Sequence, residues 1–129
     1  MPNLGYISVP ALLKYLRHAE HLGLDNDAAL LAAGINGDDL YDNSKRLPSE
    51  VHENLLGHFI EVSDDLLFGL HAGRYVQPGS WSVVGYITMN CATLGEAMSR
   101  VATYEKLVGD MGISRIEDAD DHVRMVWTC

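Results

Sequence analysis

His18 and His21 stand three residues apart in a segment of helical spacing, where two imidazoles share a face and can reach one metal ion. A zinc site needs a third or fourth ligand, and the chain carries neither an H-E-x-x-H nor a C-x-x-C pattern. Two solvated or edge histidines are the commoner outcome. His52, His58 and His71 fall on expected helices without a matched carboxylate and read as structural, while His122 adjoins a turn and reads as exposed. Asp118, Asp120 and Asp121 suggest calcium, but an EF-hand loop also needs its glycine and closing glutamate, so a solvated turn is the reading. Spacing brings no His or Lys to Cys91, which reads as a small buried hydrophobe rather than a nucleophile. G-x-S-x-G, P-loop and dinucleotide patterns are absent from the sequence. Neither catalysis nor a cofactor nor a metal is expected.

The aromatic and methionine set is different. Trp81, Tyr86, Met89, Met98, Tyr104, Met125 and Trp127 gather in the second half of the chain. Such side chains line small-molecule pockets. They also fill cores, which is the commoner use.

With 129 residues the chain suits one domain; a domain of that size buries roughly two-thirds of its unfolded surface without staples. Apolar residues at 47% and charged residues at 21% are globular proportions rather than disordered ones. The net charge is −9, and Lys45-Arg46 is the only adjacent cationic pair. Phosphate backbones call for clustered cations, so direct binding to nucleic acid, or to an anionic membrane, is not expected. Two cysteines make no disulfide framework. They point to a reducing, cytoplasmic compartment. Met1-Pro2-Asn3-Leu4-Gly5-Tyr6 has neither the basic nor the apolar region of a signal peptide, and no apolar run approaches the ~20 residues of a membrane span.

The positioning elements read as helices first and a hairpin last. Ser8 can cap a first helix, with Pro10 near its start and Val9, Leu12, Leu13, Leu16 and Ala19 on one face. Gly23-Leu24 is a Schellman-type stop. Asp25 opens a second, Ala- and Leu-rich helix that Gly34 closes, and one further turn falls over residues 36–41. Arg46-Leu47-Pro48-Ser49-Glu50 begins the next helix, striped by Val51, Leu55, Phe59 and Val62. Asp64 or Asp65 starts a short helix carrying Leu66, Leu67 and Leu70 and ended by Gly73, and residues 74–80 read as a loop. Residues 81–91 fit either a strand or a short helix; their lead into the next cap favours helix. Thr93 and Glu96 have the spacing of a capping box, in which the Glu carboxylate reaches back to the Thr N–H. Leu94, Ala97, Met98, Val101, Tyr104 or Glu105, and Val108 then give residues 93–108 one buried face, with Gly109 as the stop. Ile113 to Glu117 and Val123 to Trp127 alternate across the polar run Asp118-Ala119-Asp120-Asp121, a β-hairpin pattern. The expected class is therefore α+β, a bundle of about five to six helices followed by a C-terminal hairpin. A hairpin alone is marginal and must pack on the helices. The last residues, Trp127-Thr128-Cys129, look like an end inside a strand, which raises the expectation of an incomplete fragment.

In chain order, the segments Val9-Pro10 with Leu12-Leu13, Gly23-Leu24-Asp25, Leu30-Leu31 with Ala33-Gly34-Ile35, Leu40-Tyr41-Asp42, Arg46-Leu47-Pro48, Phe68-Gly69-Leu70-His71-Ala72-Gly73, Gly85-Tyr86 and Thr93-Leu94-Gly95-Glu96-Ala97, with Tyr104 downstream, are similar to one known pattern. The chain resembles the N-terminal, effector-sensing (arabinose-binding-like) domain of AraC-type transcriptional regulators, in the branch whose sensor begins with helices rather than a cupin barrel. No one segment is specific; the ordered set is. The resemblance implies one sensing and dimerisation domain over residues 1–129, a small-molecule effector and a homodimer. It also implies that DNA is read by a separate C-terminal helix-turn-helix domain, which this sequence does not contain. Effector-contact residues do not carry over. From the aromatic set, Tyr86, Met89, Tyr104, Met125 and Trp127 are the expected ligand contacts, pairing the helix after the loop with the hairpin. A protein-interaction module without a ligand is the alternative, since an exposed hairpin edge invites pairing.

Overall fold

Pro10 sits in the first turn of helix α1 (Val9–His21), where its missing N–H costs no hydrogen bond. The computed structural model describes residues 5–129; Met1 to Leu4, the start of the segment read above for a signal peptide, lie outside the described residues. Ser8 is the N-cap residue of α1, but its side chain makes no capping bond. At the other end Gly23 takes φ +74, and the Gly23 and Leu24 amides donate to the Glu20 and Ala19 carbonyls, which is the Schellman arrangement. Helix α2 (Asn26–Ala33) starts where the Asp25 carboxylate accepts from the Ala28 N–H at 3.1 Å. It ends at Gly34, φ +73. A 3-10 turn, Gly37–Tyr41, follows.

The first departure from the sequence reading comes next. Arg46–Pro48 is not a helix start but strand β2, paired antiparallel with β1 (Tyr6–Ser8), with Ile7 opposite Leu47. Pro48 is extended at φ −55, ψ 142, and the residue before a proline is itself biased to extended backbone. Helix α3 (Ser49–Ser63) therefore begins one residue after the proline, and it stops at Asp64 in the left-handed region, φ +53. The short helix expected from Asp64 or Asp65 is shorter and later: α4 is Phe68–His71, and it runs into a 3-10 turn, Ala72–Tyr75, that passes through Gly73 instead of ending there. The segment read as a loop holds a second 3-10 turn, Pro78–Trp81.

Residues 81–91 are helical, as α5 (Ser82–Met89). Ser82, at its entry, has φ +52 and ψ −140, a conformation an L residue rarely takes. Helix α6 (Leu94–Tyr104) is capped by Thr93, whose hydroxyl oxygen accepts from the Glu96 N–H at 3.1 Å. The Glu96 carboxylate completes the cap one residue earlier than expected, on the Ala92 N–H at 3.1 Å. The helix is also shorter than its apolar pattern, giving way to a 3-10 turn at Glu105–Leu107. The hairpin forms as read, with β3 (Ile113–Asp118) and β4 (Val123–Thr128) paired antiparallel and Ile116 opposite Met125. Among the described residues the fold is thus α+β, with six α-helices and two separate antiparallel strand pairs.

The closed core lies in the first half. Val9, Leu12, Ala19, Leu55, Phe59, Phe68 and Ala72 show no exposed or almost no exposed surface, and Phe59 stacks on Phe68 with ring centroids 4.9 Å apart. Each such large side chain contributes about 1.5–3 kcal/mol by leaving water. The stripe of α3 ends earlier than its pattern, because Val62 is 48% exposed. Strand β1 joins this core to the second half. On its free edge the Ser8 N–H donates to Val108 O at 2.7 Å and Tyr6 O accepts from the Asp110 N–H at 2.8 Å, with Ile7 bridged to Gly109. The Tyr6 hydroxyl adds a 2.7 Å bond to Lys106 O.

Candidate functional site

Gly85 sets the site's back wall. A Cβ built there would lie 1.8 Å from Pro78 O, so α5 can only rest against the Pro78–Trp81 turn because position 85 has no side chain. That close seat places Thr88 and Met89, on the same face of α5, opposite Leu94, Ala97, Met98 and Val101 of α6. With Trp81 and Met125 they enclose an open trough of about 460 Å³. A second trough of about 250 Å³ continues from it, sharing Trp81, Val101 and Met125 and adding Met111, Trp127 and Ser114. The hairpin is held at this end by Glu105, whose carboxylate accepts from the Ser114 N–H at 2.6 Å. Gly112 leaves room for the Trp127 ring, which a Cβ there would meet at 2.5 Å.

The register of the hairpin decides which side chains face the helices. Ser114–Trp127 and Ile116–Met125 are opposed pairs on one face; Arg115–Val126 and Glu117–Arg124 are on the other. On that far face Glu117 pairs with Arg115 at 2.9 Å and with Arg124 at 3.9 Å. Among the described residues the lining of the troughs is thus mainly apolar and includes no Lys or Arg.

Of the five expected contacts, Met89 and Met125 line the larger trough, and Met125 and Trp127 line the smaller one. Tyr86 does not join them. One residue beyond Gly85 it is turned about a quarter of the way around α5, is 59% exposed, and lies in a separate shallow groove with Asn90, Cys91, Glu96 and Arg100. Tyr104, the last residue of α6, lines neither trough. Trp81, Met98 and Val101 also line the troughs, though they were not among the expected ligand contacts. The signal was there, as a Trp in the aromatic set and an apolar stripe on α6, but that stripe reads the same whether its face is covered or open. Residues 94–104 contain no fully buried side chain, and Leu94 is 77% exposed.

The histidines sort differently. His18, expected at an edge, is 5% exposed, and both its ring nitrogens lack a hydrogen-bond partner among the described residues. Its ring lies 4.7 Å from that of Phe68 and 5.5 Å from that of Tyr75. Burial foremost, then the charges of Arg74 and His71, hold its pKa below the ordinary 6.5, against the opposing pull of Asp65. His71 has the carboxylate that spacing did not reveal: its Nδ1 is 2.7 Å from Asp65, a hydrogen bond that is the main cause lowering the Asp65 pKa. His52 bonds the Tyr15 hydroxyl at 3.0 Å, and burial, then Lys14, lowers its pKa. Cys91 is half-buried rather than buried, its thiol donating to Ile87 O at 3.3 Å. His122 is exposed beside Asp121, to which it is bonded. Among the described residues no cluster of three or more His, Cys, Asp or Glu is placed to hold a metal ion, and no helix is long and apolar enough to cross a membrane.

What this geometry offers is an open, mainly apolar receptacle walled by α5, α6 and the hairpin. No curated protein matches the chain. Residues 23–129 match the family described as the arabinose-binding domain of AraC transcription regulators, N-terminal, a regulatory ligand-binding class rather than an enzyme class, and the chain belongs to that family.

Proposed function

We propose that the two joined troughs are the effector site of this regulatory domain and that their occupancy biases the helix-turn-helix domains that read DNA for regulators of this family. One observation carries the reading: every methionine after Met1 lines these troughs, together with both tryptophans of the chain. Such polarizable and aromatic side chains suit a binding cavity, whose usual volumes run from about 300 to 1,000 Å³. Met89, Met125 and Trp127 are the expected contacts that stay in the site, joined by Trp81, Met98 and Val101. The walls come from α5, α6 and the hairpin, so a ligand favours one arrangement of the three and shifts the population toward it. The strand link between residues 108–110 and β1 is the route by which that shift reaches the core. The acidic charge of the chain, −9, supports leaving the DNA contacts to another domain. The free thiols of Cys91 and Cys129 support a reducing, cytoplasmic setting.

The same domain is proposed to dimerise. Both edges of the β3–β4 pair lack a strand partner among the described residues, and open edges template pairing with another chain. That exposed edge, with Met89 at 66% and Leu94 at 77% exposure, also favours the second reading, an interaction module whose apolar surface takes protein.

Thermal melting against a panel of small molecules, read with tryptophan emission, separates the two. An effector raises the melting temperature with concentration, by about 2.7 kcal/mol of added stability at a hundred times its Kd. A panel that moves neither signal, with light scattering showing a dimer, transfers the troughs to the interaction reading.

A further inference from the structure

The effector reading leaves the chemistry of the ligand open, and the lining of the troughs narrows it. Gln77 and Thr88 carry the polar side chains of the larger trough. The Thr88 hydroxyl donates to Gly85 O at 2.8 Å, so its proton is already committed. Glu105 and Ser114 carry those of the smaller trough, and they are joined by the bond that anchors the hairpin. Every other lining side chain is apolar apart from the indole N–H groups of Trp81 and Trp127. A sugar has a hydroxyl on nearly every carbon, more than these few groups can pair where the hydroxyls leave water against the wall. A carboxylate or phosphate would find no cation there: Arg115 and Arg124 lie on the far face of the hairpin, paired to Glu117, and Arg100 opens onto the separate Tyr86 groove. The charge that does line the smaller trough, Glu105, repels an anion.

Resting on the effector reading, we infer that the ligand is a flexible, uncharged, largely aliphatic molecule, an alkyl or acyl chain with a neutral polar head, and not a pentose. Four methionines suit such an occupant, because an unbranched thioether side chain adjusts to a chain that bends. The elongated course from Leu94 past Trp81 to Trp127 suits it as well.

The test titrates the whole 129-residue chain with decanol, decanoate and L-arabinose, following tryptophan emission and the melting temperature. Decanol is expected to saturate both signals, decanoate to bind at least about tenfold more weakly, and L-arabinose to change neither. Two variants locate the binding. Met98→Glu places a charge on the trough wall, and Leu94→Gln, at a position 77% exposed, alters the rim without reaching the core; both are expected to weaken decanol at least about tenfold. Saturation by L-arabinose without decanol overturns the inference and leaves the effector reading standing. Equal binding of decanoate and decanol overturns the neutral head, and binding that neither variant weakens overturns the site. If no probe saturates, this inference fails while the panel of other ligand classes still decides the effector reading separately.

Discussion

Phe59 and Leu94 hold equivalent places, each an apolar residue on the inward stripe of an amphipathic helix. Phe59 on α3 is 0% exposed and stacked on Phe68; Leu94 on α6 is 77% exposed. The difference is what stands opposite. Helix α3 faces α1, α2 and α4, which close over it, while α6 faces a trough whose other walls are α5 and a two-stranded hairpin. Residues 5–75 hold all of the clustered buried core, and residues 82–129 add only Val84 and Ser114 as buried side chains. An apolar stripe therefore states what a helix would bury, and the rest of the chain decides whether it does. In this protein the closed core cluster sits in one half and the apolar troughs in the other.

Substitutions can break that division. The largest effect belongs to the closed half: Phe59→Ala is expected to cost about 3–5 kcal/mol in urea or guanidinium unfolding, through lost burial and an unfilled cavity. If it costs under about 1 kcal/mol, the first half is not the stabilising one. Gly85→Ala tests the joint. Helix propensity alone would favour alanine by about 1 kcal/mol, but the 1.8 Å approach to Pro78 O forces a backbone shift, and a net loss of about 1–3 kcal/mol is expected. A neutral result would show that α5 does not sit against the turn. Thr93→Ala removes the α6 cap and should cost about 1 kcal/mol, with faster amide exchange confined to residues 94–97.

Mild acid should act through two histidines of the closed half. His18 and His52 have pKa values lowered in the fold, so the unfolded chain binds their protons more readily. Their contribution is complete above the ordinary His value of 6.5 and is lost as pH falls from there toward the lowered folded values. Melting temperatures should drop below pH 6.5 in the parent and drop less in His18→Phe, which no longer has a proton to take up. The smallest change sharpens the contrast: Leu94→Gln is expected to move stability by no more than about 0.5 kcal/mol while lowering the binding of an apolar dye. A larger loss would mean that Leu94 is covered after all.

Much of the fold was written in local signals. Asp25, Gly23, Gly34 and Thr93 mark helix ends because capping is a matter of one or two backbone groups and a near side chain. The hairpin showed itself because six-residue strands have room to alternate. The β1–β2 pair did not, since three residues make no period and their partners are about 40 positions apart, as Ile7 and Leu47 illustrate. The Asp65–His71 pair escaped for a related reason: a turn between the two residues, not helical spacing, brings them together. In the site, Met89, Met125 and Trp127 were legible as types. Trp81, Met98 and Val101 needed the seat of α5 on the turn, a three-dimensional fact that Gly85 makes possible.

Ser82 gives that seat a further consequence. Its backbone, at φ +52 on a residue with a Cβ, lies at the single peptide junction between the Pro78–Trp81 turn and the trough wall. A residue held in such a sparsely populated region stores about 1–3 kcal/mol. Glycine adopts this backbone without the Cβ penalty, so Ser82→Gly is expected to relieve the strain at the junction while every side chain lining the trough stays in place.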